Sequence, residues 1–324
     1  MNRIDHRLCV APMMTHTDRH FRYLLRLISR HVMLYTEMIT TGSLIHGKQY
    51  QRLQFNDNEH PLGIQLGGNE PQELALCATM VEEAGYDEIN LNIGCPSDRV
   101  KTGQFGACLM AKPDLVAECV STMNKHTKLP ITIKTRIGID DQDSYEHLQN
   151  FVRSVSVAGC RTFIIHARKA WLEGLSPRQN RELPPLNYSM VYQLKTDFPE
   201  LEIIINGGIT SLAEVEEQLT QVDGVMIGRA VCNNPYLLAD ADRLVFDNDS
   251  PTLSRHEVLR DFIHYAGKQL ETGISMHQMS RHILGLFQGQ AGARAWRRYL
   301  SEKSHDHNCD IRLLEKASRF IQAA

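Results

Sequence analysis

The chain comprises 324 residues (36.9 kDa), of which 42% are hydrophobic and 23% charged, with a formal net charge of -3. That balance belongs to globular proteins and excludes a disordered segment or a small disulfide scaffold. A mean hydropathy of -0.31, no apolar run long enough to cross a bilayer and an opening Met1–His6 without an apolar signal core predict a cytoplasmic protein with no membrane partner.

Eight cysteines, at 9, 77, 95, 108, 119, 160, 232 and 309, form no CxxC pair and no metal-ligand spacing, so reduced thiols and no metal are expected. Charge is unevenly spread. From Pro251 to Ala324 there are 11 Lys and Arg against 7 Asp and Glu, while the preceding residues carry 24 against 31. The positive charge therefore lies in the C-terminal segment.

Eight runs rich in apolar and β-branched residues read as strands: Arg7–Met13, Val32–Met38, Pro61–Gly67, Glu88–Gly94, Pro130–Gly138, Thr162–Arg168, Glu202–Ile209 and Gly224–Ala230. Near-continuous apolar stretches such as Phe163-Ile-Ile and Ile203-Ile-Ile fit parallel strands covered on both faces. Between the strands lie helical patterns. Pro71 opens one that ends near Ala84–Gly85, with Gly85 suited to the cap, and Ser211-Leu-Ala-Glu214 has the form of a capping box. Eight β/α alternations predict an α/β fold, a (β/α)8 TIM barrel.

Asp247–Pro251 is a polar, turn-prone linker, and beyond it the strand signal gives way to helices near Arg255–Glu271, His277–Phe287, Ala293–Glu302 and Ile311–Ala323. Two units are expected: a catalytic barrel over 1–246 and a small helical bundle over 251–324.

Active sites of such barrels form at the C-terminal strand ends. Here those ends carry Ala11-Pro-Met13, Glu37, Gln65, Asn92 with Cys95, Lys134 with Arg136, His166 with Arg168, Asn206-Gly-Gly208 and Gly228-Arg229. Glu37 or Arg136 alone would be a hydrogen-bonded strand end; eight polar ends together point to chemistry. The glycines after strands seven and eight suit a phosphate held by backbone N–H groups, with Arg229 as a charge partner, and no Walker or Rossmann glycine motif competes. Lys134 and His166 can each be an acid, a base or a charge partner, and Lys134 also a Schiff-base lysine. Cys95, on a Gly-Cys-Pro turn, is placed for proton transfer or nucleophilic attack, whereas Cys9, Cys77, Cys119, Cys160 and Cys232 read as small buried hydrophobes and Cys108 as structural.

Ala11-Pro-Met13, Tyr35-Thr-Glu-Met38, Gln65-Leu-Gly67, Asn92-Ile-Gly-Cys-Pro-Ser-Asp-Arg99, Lys134-Thr-Arg-Ile-Gly138, His166-Ala-Arg-Lys-Ala-Trp171, Asn206-Gly-Gly208 and Gly228-Arg229 together resemble the tRNA-dihydrouridine synthases. The long loop after His166, with Leu284-Gly-Leu-Phe-Gln-Gly and Ala293-Arg-Ala-Trp-Arg-Arg298, points to the A-type branch, which acts on positions 20 and 20a of the tRNA D loop. The resemblance implies FMN across the barrel mouth, its phosphate on Asn206, Gly207, Gly208, Gly228 and Arg229, with Pro12, Met13, Met14, Gln65, Lys134 and His166 around the rest. Lys134 would stabilise an anionic reduced ring. NADPH would reduce the flavin and leave, hydride would pass to C6 of the uracil, and Cys95, arriving as a thiol, would give a proton to C5 from the other face.

Asn92 would bind the uracil edge, and the target base must turn out of the tRNA elbow to reach it. Arg178, Arg181, Arg294 and Arg297 look like the tRNA-orienting residues of the branch. Between Glu271 and Glu302 the sequence has no acid, while Arg281, Arg294, Arg297 and Arg298 fall there, the last three spaced to share a helix face. A monomer acting on tRNA is expected. Two rivals stand beside this reading: a dihydroorotate-dehydrogenase-like flavoprotein, which would need no basic helical segment, and an RNA-binding barrel without chemistry, which would need no Cys95, Lys134 and His166.

Overall fold

β-branched and apolar runs extend into strands because they pack on both faces of a sheet, and here eight of them do so in parallel. The computed structural model describes residues 4–306 and 309–321. Its strands are β1 (Leu8–Val10), β2 (Leu34–Thr40), β3 (Leu62–Gly67), β4 (Glu88–Asn92), β5 (Ile131–Arg136), β6 (Thr162–His166), β7 (Glu202–Asn206) and β8 (Gly224–Ile227). They pair in the order β1-β8-β7-β6-β5-β4-β3-β2. Val10 N donates to Met33 O at 2.9 Å and Met33 N to Leu8 O at 3.0 Å, which joins the β1 and β2 edges and closes the (β/α)8 barrel. Six strands end two or three residues before the predicted limit. Their last polar residues leave the ladder and turn into the loops of the mouth.

The helix Pro71–Ala84 ends where expected, on Gly85 in the left-handed region at φ 90. Ser211 caps the helix Leu212–Leu219 through Glu214 N, but the Glu214 carboxylate takes Thr210 N instead of returning to Ser211, so the predicted capping box is only half formed.

Alternation along the strands divides the core. Ile89, Leu91, Ile133, Phe163, Ile203 and Ile205 face the helices, within the main cluster. Inside the barrel, Cys9, Met33, Tyr35, Ile164, Ile204 and Met226 form an apolar half. The opposing half, from β3, β4 and β5, is polar: Gln65, Glu88, Asn90 and Thr132 are all at most 2% exposed.

After Asp247 the chain reaches Ser254, whose reciprocal capping box with Glu257 starts the helix Arg255–Glu271. The second tail helix departs from expectation. Only Met276–Ser280 is helical in place of His277–Phe287, and turns follow through Gln290. A Cβ on Gly285 would stand 2.1 Å from Asn233 O, so this stretch must bring bare backbone against the loop after β8. The helix Ala293–Lys303 is as predicted, and Arg312–Ser318 is shorter than Ile311–Ala323, whose last residues lie outside the described ones.

The tail does not hang free. Val258, Phe262, Leu286, Phe287 and Trp296 belong to the same buried cluster as the barrel's outer core. Tyr265 stacks on Tyr23 at 3.8 Å and hydrogen-bonds His20 at 2.7 Å. No helix among the described residues is long and apolar enough to cross a membrane.

Candidate active site

At the end of β4, Asn92 Oδ1 accepts from Gly94 N at 3.1 Å and Cys95 N at 3.0 Å, folding Gly-Cys-Pro into a side-chain-closed turn. Ala107 N donates to Cys95 O at 2.9 Å, and Gly106, at φ 71, approaches that oxygen so closely that a Cβ would lie 2.6 Å away. The Cys95 backbone is thus fixed on both sides, while its thiol, part exposed, meets Ser97 Oγ at 3.4 Å.

The Asn92 amide is itself held. Its Nδ2 donates to Gln65 Oε1 at 2.8 Å, and Gln65 Nε2 donates to Asn90 Oδ1 at 2.8 Å. From β5, Lys134 Nζ crosses the mouth to Asn206 Oδ1 at 3.1 Å. Burial, with Arg136 beside it, pulls the Lys134 ammonium down to about 7, poising it between charged and neutral forms. Arg136, only 3% exposed, donates to Gly94 O at 2.9 Å, Asn180 O at 3.0 Å and Lys169 O at 3.1 Å. It staples three mouth loops, in keeping with a structural reading of that residue taken alone.

His166, at the end of β6, lies against Gly207: a Cβ on that glycine would sit 2.7 Å from His166 Cδ2. Burial and the cations Arg136, Lys134, Arg168 and Arg181 hold its pKa far below the ordinary value, so the ring is neutral. Gly207 and Gly208 take φ values of 117 and 80, and Tyr188 Oη donates to Gly207 O at 2.6 Å. Among the described residues, the N–H groups of Gly207, Gly208, Gly228 and Arg229 find no protein acceptor. The Arg229 side chain is engaged, with Nη1 2.6 Å from Glu182 and Nη2 3.3 Å from Arg181 O. Across the gap from β8, Met13 faces Gly228, Pro12 is half-buried, and Met14 is exposed. Glu37 serves as an anchor, accepting from Thr15 N.

Arg178 and Arg181 lie exposed on the loop after β6, Arg178 3.6 Å from Glu182. Asn180, fully buried between them, organises this loop by bonding Trp171 N at 2.8 Å and Trp171 O at 2.9 Å. On the helix Ala293–Lys303, Ala293, Trp296 and Leu300 are buried, while Arg294, Arg297 and Arg298 are exposed on the other side with no acidic partner among the described residues. Arg281 differs: it pairs with Asp18 at the start of the helix Arg19–Ile28, so its compensating acid comes from the barrel and it does not belong to the free basic face.

Residues 9–322 match the family model described as Dihydrouridine synthase (Dus). The chain belongs to the dihydrouridine synthase family. It is 53% identical over 319 residues to the tRNA-dihydrouridine(20/20a) synthase of Shewanella oneidensis, covering 98% of this chain and 95% of the relative. The proteins of that name from Vibrio vulnificus (55% over 312 residues, 96% and 95% covered) and Escherichia coli (54% over 317 residues, 98% and 96% covered) are similar to it as well. A solved complex of 2-naphthoyl-CoA reductase with 2-naphthoyl-CoA resembles it in fold alone, with a TM-score of 0.57 at 12% identity over 73% of this chain and 50% of that one.

The mouth of this dihydrouridine synthase suits a flavin mononucleotide. Four N–H groups on adjoining loops, with no protein acceptor among the described residues, are available to an anion, and Gly207 and Gly208 hold positive φ values and close approaches to His166 and Leu186 that a side chain would not tolerate. Beside it stand a neutral imidazole and a lysine whose charge an anion would restore.

The opposite end of the barrel holds what the sequence reading missed. A cavity of about 950 Å³ there is lined by His6, Asp87, Arg161, Thr162 and Glu202 among others. His6, 4% exposed, meets Glu88 at 2.6 Å and Glu202 at 3.0 Å. Burial alone would lower its pKa, but the two carboxylates prevail and raise it to about 10. The alternation Glu88-x-Asn90-x-Asn92 was the available signal, since three polar residues at a period of two in one strand line one face.

Proposed function

We propose that the chain is a tRNA-dihydrouridine synthase that reduces a uridine at position 20 or 20a of the D loop to 5,6-dihydrouridine, acting as a cytoplasmic monomer. One observation carries this: Cys95 is fixed on a turn at the mouth of a barrel that also presents Lys134, in a chain 53–55% identical over nearly its whole length to proteins of that name. FMN, when bound and re-reduced by NADPH, would supply hydride to C6 of the uracil. Cys95 Sγ gives the proton to C5, and the thiolate left behind regains a proton from water.

Lys134, as an ammonium, would hold an anionic group of the cofactor, and the N–H groups of Gly207, Gly208, Gly228 and Arg229 would hold its phosphate. Pro12, Met13, Met14, Gln65, His166 and Asn206 bound the rest of that site. Asn92 presents its amide to the uracil edge. Residues 1–246 act as the catalytic unit and 251–324 as the RNA-binding unit, with Arg178, Arg181, Arg294 and Arg297 gripping tRNA phosphates. The test is anaerobic single-turnover oxidation of the NADPH-reduced protein, followed at the flavin absorbance with unmodified tRNA, free uridine or orotate. Rapid oxidation by tRNA alone supports the reading; oxidation by orotate alone, or a colourless protein, refutes it.

A further inference from the structure

Below the mouth, the polar half of the barrel interior forms one unbroken chain of hydrogen bonds. Glu88 Oε2 faces His6 Nε2 at 2.6 Å, and Glu88 Oε1 accepts from Tyr35 Oη at 2.8 Å and Thr132 Oγ1 at 2.6 Å. Asn90 Nδ2 donates to Thr132 Oγ1 at 2.9 Å, Gln65 Nε2 to Asn90 Oδ1, Asn92 Nδ2 to Gln65 Oε1, and the backbone of Gly94 and Cys95 to Asn92 Oδ1. Every side chain in it is buried, from Glu88 at 0% to Asn92 at 9% exposed.

We infer that Glu88, at the far end of the barrel, is the positioning residue that sets which way the Gln65 and Asn92 amides face at the mouth. The reason is proton counting. Thr132 has one hydroxyl proton, and a carboxylate receiving the phenol of Tyr35 and the His6 ring can only accept. The Thr132 proton must therefore go to Glu88, and its lone pair takes an amide N–H from Asn90. Asn90 then shows its oxygen to Gln65, Gln65 shows its oxygen to Asn92, and Asn92 shows its oxygen to the Cys95 turn. An amide at position 88 can donate to Thr132 and release its proton toward Asn90, which reverses each amide in turn. Asn92 Nδ2 would then meet the N–H groups of Gly94 and Cys95, donor against donor, and the turn would lose its anchor.

The catalytic consequence rests on the function proposed above, but the relay can be tested without cofactor or substrate. Amide hydrogen exchange at Gly94 and Cys95 is compared among wild type, Glu88→Gln, Thr132→Val and Thr132→Ser, with β6 and β7 amides reporting that the fold is kept. Exchange at 94 and 95 is expected to quicken roughly tenfold in Glu88→Gln and Thr132→Val, and to stay protected in Thr132→Ser, which keeps the hydroxyl. Thr132→Val removes no hydrogen bond of His6 and keeps the Glu88 carboxylate, so it carries the test even where Glu88→Gln fails to fold. In turnover with tRNA, kcat should fall in Glu88→Gln and Thr132→Val while KM for tRNA holds. Wild-type protection at 94 and 95 in folded Thr132→Val overturns the relay. A wild-type protein inert toward tRNA refutes the proposed function instead and leaves the exchange result to judge the relay.

Discussion

Replacing His6 with Gln tests the charge cluster at the bottom of the barrel. His6 is 4% exposed between Glu88 and Glu202, and its pKa is raised from 6.5 to about 10. At roughly 1.4 kcal/mol per pH unit, that displacement corresponds to roughly 5 kcal/mol of folding free energy. Because the folded-state value lies above the unfolded one, the contribution is complete below about pH 6.5 and is lost as pH climbs toward about 10. His6→Gln takes away the cation that faces the buried Glu88 carboxylate, a defect worth roughly 3–5 kcal/mol near neutrality. Urea unfolding of both proteins from about pH 6 to about pH 10 measures the gap between them. It should be widest at the acid end and close by most of its value at the alkaline end. A gap that stays level across that range would mean that His6 enters the folded state neutral, and the reasoning fails.

Cys95→Ala should keep FMN colour and tRNA affinity while product formation falls by roughly 10²–10⁴-fold, and near-normal turnover would remove Cys95 as the proton donor. In the cofactor-free protein Lys134 titrates at about 7, so the advantage in FMN affinity of wild type over Lys134→Met should shrink as pH rises through that value. Fluorescence titration reads it, and a constant ratio would contradict a charge role. Arg294→Gln combined with Arg297→Gln should weaken tRNA binding and lower its salt slope by about two, leaving FMN affinity unchanged; an unaltered slope would place the phosphate contacts elsewhere.

The strands were legible because parallel packing demands apolar continuity, as in Phe163-Ile-Ile, and their C-terminal ends because the fold makes a polar residue there meaningful. Gly85 as a cap was equally plain, since a left-handed residue ends a helix most readily as glycine. What stayed hidden depends on partners distant in sequence. Arg281 looked like part of a free basic face, and only the fold brings Asp18 to it. The helix expected over His277–Phe287 breaks because Gly285 must meet Asn233, a contact that periodicity does not register. The role of Arg136 was visible in kind, but that it ties Gly94, Lys169 and Asn180 together required the closed barrel.

The seat of Gly285 against Asn233 O places the tail directly behind the loop that carries Gly228 and Arg229. Severing the chain after Phe246 would strip that brace away and lay bare the faces that Phe262, Phe287 and Trp296 now cover. The outcome would be a barrel with a slackened cradle, poor solubility and a damaged cofactor site. A version retaining the chemistry but deaf to RNA is therefore to be sought by neutralising Arg294 and Arg297 on the surface, and not by truncation.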